Sequence, residues 1–168
     1  MESTRRLPFD AAAYERRVRS GDCFICGIVQ GDRSEEQHVI YRDDHHIAFL
    51  SQYPAQPGYS LVAPIDHREH VVADFTRDEY EEIHLVIHRL GRALMSVVPT
   101  ERLYVLSLGS QQGNSHVHWH VVPLPRGVAY EEQQFAALML ERTGYLDMND
   151  EEMGTLAAKV GAAMRSAD

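Results

Sequence analysis

Three histidines stand at alternate positions in one stretch, Gly113-Asn114-Ser115-His116-Val117-His118-Trp119-His120-Val121-Val122-Pro123. Side chains of an extended strand alternate between faces, so His116, His118 and His120 are expected on one face. Val117, Trp119 and Val121 are then free to pack a core on the other. Same-face neighbours would lie about 6–7 Å apart, lining three imidazoles along about the length of a diphosphate. Neutral imidazole is a nucleophile near neutral pH because its unperturbed pKa is about 6.5. It can attack phosphorus and later be displaced by water, which divides one hard step into two. A neighbouring imidazolium would donate hydrogen bonds to the non-bridging oxygens. The preceding loop, residues 109–115, adds backbone donors and the side chains of Gln111, Asn114 and Ser115, with glycines that permit close approach. A structural metal site or a surface histidine ladder would give the same period, and the triplet alone leaves those readings open.

A second group could hold a metal. The chain has two cysteines, Cys23 and Cys26, in a Cys-Phe-Ile-Cys spacing. Such a pair reads as a metal half-site, a redox dithiol or two idle buried thiols. A redox pair normally follows a strand in a βαβ pattern, and none is evident here. Tetrahedral zinc would need two further ligands.

The scaffold for these residues is an ordinary globular chain. Its 168 residues suit one core, with 44% hydrophobic and 24% charged residues. A formal net charge of −9 argues against general binding to nucleic-acid backbone, although local donors could still hold a small anion. The start Met-Glu-Ser-Thr-Arg-Arg is not followed by an apolar signal core, and no run approaches a membrane span, so the expected location is the cytoplasm.

Periodicity predicts the elements. Asp10 could cap a short helix reaching Arg19. Val39 to Tyr41, Ile47 to Leu50, Tyr59 to Ala63, Arg102 to Leu108 and His116 to Val122 read as strands, with Pro64 and Pro123 as stops. Tyr80, Ile83, Val86, Ile87, Leu90, Leu94 and Val97 recur at helical intervals, and Thr76 with Glu79 has capping-box spacing, which predicts a helix from Arg77 to Val98. Two more helices are expected near 130–142 and 150–165, the second capped by Asn149 or Asp150. Phe135, Leu138, Met139, Leu156 and Val160 are their packing residues. Short strands around one long helix imply an α+β fold with an antiparallel sheet. His45, His46, His70, His84 and His88 are read as surface residues, and Trp119 as core.

With these residues in view, the chain resembles the histidine triad (HIT) superfamily, whose signature is His-φ-His-φ-His-φ-φ with φ apolar. The similarity continues through the Cys-Phe-Ile-Cys pair, Ile47-Ala48-Phe49-Leu50, Pro57-Gly58-Tyr59-Ser60-Leu61-Val62-Ala63-Pro64 and His67. It divides the chain into an N-terminal extension (1–21), a HIT domain (22–126) and a C-terminal helical extension (127–168). The resemblance implies an antiparallel sheet with one long helix, usually in a homodimer, acting on nucleoside phosphoramidates, aminoacyl adenylates or dinucleoside polyphosphates. By the same resemblance His118 forms a covalent nucleotidyl intermediate, His120 contacts the phosphate, and Asn114 or Ser115 holds the leaving group or oxyanion. It also implies that His67 and His116 complete a structural zinc site with Cys23 and Cys26. A nucleotidyltransferase or phosphorylase would share the first step, and a non-catalytic nucleotide-binding module would share the fold. Three positions depart from the family: Tyr59 where histidine is common, Ser51 where Asp or Asn holds ribose hydroxyls, and a loop before the triad that is about two residues shorter.

Overall fold

The computed structural model describes residues 5–20, 23–32, 37–108 and 114–166. In chain order the elements are β1 (Arg6–Leu7), α1 (Ala11–Ser20), α2 (Phe24–Gln30), β2 (Val39–Arg42), β3 (His46–Leu50) and β4 (Ser60–Pro64). Then follow α3 (Arg77–Val97), β5 (Arg102–Leu106), β6 (Trp119–Leu124), a 3-10 turn (Tyr130–Glu132), α4 (Gln133–Leu138), α5 (Leu140–Thr143), β7 (Tyr145–Leu146) and α6 (Asp150–Arg165). The main sheet is antiparallel and five-stranded, in the order β2-β3-β4-β6-β5.

The long stripe folds as its spacing predicts. Ile83, Val86, Ile87, Leu90, Ala93 and Leu94 are buried along α3, and both halves of the Thr76/Glu79 capping box form. Asn149 caps α6 in the same way, and Asp10 caps α1 through its Oδ1 at 2.9 Å from Ala13 N–H. Strand alternation then sorts the sheet. Ala48, Leu50, Val62, Trp119 and Val121 face α3 and α6 in the main core. Ile47, Phe49, Leu61 and Ala63 point to the opposite face, where Ile25 and Ile28 of α2 cover them. Tyr59, Val122 and Leu124 point the same way and meet Ala137 of α4. Leu61 pairs with His120, so His120 emerges on that second face between the two helical covers.

Several expectations are corrected. β6 begins at Trp119, not His116, because the backbone before it takes partners other than a neighbouring strand. Val117 N–H donates to Arg68 C=O at 2.7 Å, and the Ser107 hydroxyl donates to His118 C=O at 2.8 Å. The same serine lies just past the end of β5, which stops at Leu106 instead of Leu108. β6 also continues through Pro123 to Leu124. Its pairing with β4 ends at Val121, so the missing proline N–H falls where only β5 remains as partner. The helix expected over 130–142 breaks at Met139 (φ −105, ψ 80). Leu138 and Leu140 both pack on the Tyr59 cluster, whereas in an unbroken helix they would point about 200° apart. Phe135 and Met139 are left 37% and 43% exposed, against the packing role expected of them. His46 is buried, not on the surface. Its ring meets Asp43, whose carboxyl also accepts from Tyr41 and from the His45 and His46 amides. Burial opposes ionisation of Asp43, but these donors hold it at about 2.

Three short elements carried no periodicity. α2 is only seven residues long, and β1 with β7 makes a two-residue antiparallel ribbon joining the segment before α1 to the segment before α6. The ribbon is pinned to the 51–57 loop, where Arg6 donates to Ala55 C=O at 2.8 Å, and Phe9, Tyr14, Tyr53 and Tyr145 pack ring against ring. No helix among the described residues is long and apolar enough to cross a membrane.

Candidate active site and metal centre

The cysteines sit at the start of α2. Cys23 is its N-cap, with Sγ 3.4 Å from Cys26 N–H, which brings the two thiols to the same end of the helix. β4 ends at Pro64 and the chain delivers His67 three residues later. Cys26 Sγ lies 3.3 Å from His67 Nδ1, and both sulfurs lie 3.5 Å from His116 Nδ1. All four ligand atoms fall within 4.8 Å of one another.

These spacings fit a metal ion. With metal–sulfur bonds of about 2.3 Å and metal–nitrogen bonds of about 2.0–2.1 Å, a tetrahedron separates sulfur from nitrogen by about 3.5–3.6 Å. The ring tautomers fit as well. His116 Nε2–H donates to Pro64 C=O at 3.0 Å, and His67 Nε2 faces Glu69 Oε1 at 3.4 Å, so both Nδ1 lone pairs turn to the cluster. Burial outweighs the pull of the Pro64 carbonyl and lowers His116 to about 4, leaving it neutral, as a ligand must be. Burial and the adjacent Cys23 push the Cys26 thiol up to about 11. Two thiolates this close need a cation between them.

His116 therefore does not join a row of three rings open to one phosphate. Its imidazole belongs to the cysteine cluster, and the ring beside it is His67, with centroids 4.7 Å apart. The remaining pair, His118 and His120, stands 4.8 Å apart on the second face of the sheet, closer than the 6–7 Å expected along an ideal strand. His118 Nδ1 lies 2.7 Å from His116 C=O. A carbonyl only accepts, so Nδ1 carries the proton and Nε2 keeps its lone pair. Burial lowers the pKa of His118. Burial first and His118 second lower His120 to about 3, so it is neutral near pH 7 and not the imidazolium expected from the sequence.

The other expected site residues are more dispersed. Tyr59 lies under α4 with its hydroxyl 2.9 Å from His120 Nδ1. Ser51 directly follows β3, and there its hydroxyl accepts from Tyr53 N–H at 3.2 Å and its own N–H donates to Tyr59 C=O at 2.9 Å. Asn114 and Ser115 are half-buried just before His116; the enclosed Asn114 Nδ2 has no partner among the described residues. Gln111 lies outside the described residues. The sequence reading missed Ser107 and the carbonyls of Pro64 and Arg68, which together hold residues 116–118. A lone serine after an edge strand and two backbone oxygens leave no pattern to read.

The fold and site define an α+β protein with a four-ligand cysteine–histidine cluster beside a pair of histidines. The chain belongs to the HIT family: the HIT domain model matches residues 32–127. An uncharacterized HIT-like protein of Mycoplasma genitalium is 33% identical over 110 residues, covering 62% of this chain and 74% of the relative. Among solved structures, a zinc-bound histidine triad family protein from Mycobacterium smegmatis superimposes with a TM-score of 0.68 at 24% identity, over 88% of this chain and 98% of that one. The diadenosine triphosphate hydrolase of Plasmodium falciparum shares the fold at a TM-score of 0.59 and 16% identity, over 77% of this chain and 78% of its own.

Proposed function

We propose that this protein is a hydrolase of nucleoside phosphoramidates or dinucleoside polyphosphates that works through a nucleotidyl intermediate on His118. The observation that carries the reading is the 2.7 Å bond between His118 Nδ1 and His116 C=O. It fixes the one tautomer whose Nε2 can attack, and it orients the ring. In the first step Nε2 bonds to phosphorus, the bond from phosphorus to the leaving oxygen or nitrogen breaks, and the leaving atom departs with the electron pair and takes a proton from solvent. In the second, water attacks phosphorus, the phosphorus–nitrogen pair returns to His118, and the water proton goes to solvent. His120 faces the same centre as a neutral donor to a non-bridging oxygen. The fold shared with the diadenosine triphosphate hydrolase and the histidine pair beside an intact cluster favour this reading.

Cys23, Cys26, His67 and His116 would hold zinc, with no position left for water or substrate. Zinc bound there supplies stiffness, not chemistry. Because His116 offers its ring to the cluster and its carbonyl to His118, anchoring the ring also anchors the acceptor that sets the nucleophile.

The test is turnover of a fluorogenic adenosine phosphoramidate and of diadenosine polyphosphates, combined with intact-mass analysis after rapid quench. The expected result is a mass increase of one nucleotidyl group on the wild type, absent in His118→Ala. A nucleoside diphosphate product that requires added phosphate would make the enzyme a phosphorylase. Folded wild type with no turnover on either substrate class would overturn the reading.

A further inference from the structure

The hydroxyl of Tyr59 has one partner among the described residues, the Nδ1 of His120 at 2.9 Å. Tyr59 is 8% exposed, so water does not readily replace that partner. Two arrangements of the bond exist. If His120 Nδ1–H donated, the phenolic proton would be buried with no acceptor among the described residues, at a cost of about 1–3 kcal/mol. If the phenol donates, both groups are satisfied. Burial, with Tyr14 nearby, pushes the Tyr59 phenol well above its ordinary range, which keeps it a donor at any physiological pH.

We infer that Tyr59 is a positioning residue that fixes His120 as the Nε2–H tautomer. The two rings of the pair then hold opposite tautomers. His118 is protonated at Nδ1 by bonding to a carbonyl, and its Nε2 is a bare nucleophile. His120 is deprotonated at Nδ1 by bonding to a phenol, and its Nε2 is a donor. The inference deepens the hydrolase reading by naming what makes His120 a donor, and it gives Tyr59 a role through His120 instead of on the phosphate.

The backbone commits the tyrosine to this place. Gly58 adopts φ +81, a left-handed turn that an L side chain strains to make, and a Cβ there would come within 3.0 Å of Leu94 Cδ2. Tyr59 N–H donates to Gln56 C=O at 3.1 Å, and its carbonyl accepts from Ser51 N–H. The ring is held against the imidazole of His120 with centroids 5.8 Å apart.

The test reads protonation directly. Long-range nitrogen–proton NMR on the full chain, zinc-loaded and labelled with ¹⁵N-histidine, reports which nitrogen of each ring carries the proton; His120→Gln assigns the signals. Wild-type His120 is expected with bare Nδ1 and protonated Nε2, and His118 with the reverse. Tyr59→Phe should abolish the His120 preference and leave His118 unchanged. On a phosphoramidate substrate, Tyr59→Phe should lower kcat about tenfold, the worth of one buried hydrogen bond, with KM within about twofold. A protonated Nδ1 on wild-type His120 overturns the inference without any variant. So does a Tyr59→Phe protein whose His120 keeps its tautomer, or one with wild-type kcat. Absence of wild-type turnover would overturn the hydrolase reading alone, since the NMR result stands without activity.

Discussion

The histidines of the cysteine cluster and those of the His118–His120 pair are the same residue type, and His116 and His118 are two positions apart, yet their rings are held in opposite ways. His116 and His67 are engaged at both ring nitrogens, Nδ1 by thiols and Nε2 by an oxygen acceptor. His118 and His120 are each engaged at Nδ1, and neither Nε2 has a partner among the described residues. On the proposed reading, what distinguishes a ligand from a nucleophile here is therefore the partner on the second nitrogen. Neither the residue nor its spacing decides it. The two groups are joined through a single residue, His116, by its ring on one side and its carbonyl on the other.

The comparison breaks most sharply if the two groups can be lost independently. His118→Ala is expected to lower kcat/KM by at least about 10³-fold. It should leave zinc content at one equivalent and Tm unchanged. Zinc loss in that variant would mean that the two groups are a single unit. Cys23→Ser is the reciprocal test. It should drop bound zinc below about half an equivalent by metal analysis and lower Tm by about 10 °C, as expected for losing a few kcal/mol of metal-linked folding energy. Its kcat should fall as well, because His116 C=O is no longer held. Full activity without zinc would show that His118 needs no anchor.

Which parts of this arrangement could be read from the sequence follows from the physics of each part. The α3 stripe, its cap and the alternation of Trp119 and Val121 reflect burial, and burial writes itself into residue type. The two candidate groups could be named from their residues; their spacing alone did not divide them, whereas the resemblance to the HIT family assigned His116 with His67 to the cysteine pair, and the structure brings those four together. His116, His118 and His120 keep a two-residue period although only His120 lies in a strand, so the pattern suggested three equivalent rings. The misreading arose because His116 takes its partners from Cys23, 93 positions away, and from Pro64, 52 away. α2 escaped notice because seven residues give less than two full turns of pattern, and Ser107 because a single side-chain bond to a carbonyl leaves no spacing at all.

A gentler effect concerns pH. His120 is lowered to about 3 and His118 is lowered as well, mainly by burial. Both stay neutral as pH falls below the ordinary imidazole value. Between pH 7.5 and 5.5 an unperturbed imidazole of pKa 6.5 would lose about tenfold of its neutral form. The wild type is expected to lose less than about threefold in kcat/KM over that range. Stability runs the other way. Below pH 6.5 the unfolded histidine takes a proton that the folded one refuses, so stability rises with pH from about 3 to about 6.5 and is lost as pH falls through that window. An activity profile with a midpoint at 6.5 would mean that the pair is more solvated than its burial implies.

A last prediction sharpens the comparison where it is least obvious. Ser107 touches neither the cluster nor a ring of the pair. Its hydroxyl donates to His118 C=O at 2.8 Å, in the segment where Val117 N–H is held by Arg68 C=O. Removing one such bond costs about 1 kcal/mol. If the segment is held mainly by the metal ligand His116, Ser107→Ala should lower Tm by a few degrees and leave kcat within about twofold. If the serine shares in orienting the nucleophile, kcat should fall about fivefold with KM unchanged. We expect the second outcome, because the hydroxyl holds the far end of the same peptide stretch whose near end is held by His116, and a ring three bonds from an unheld carbonyl carbon can turn. Combining Ser107→Ala with Cys23→Ser decides it: losses larger together than the product of the singles would show that the nucleophile is clamped from both sides.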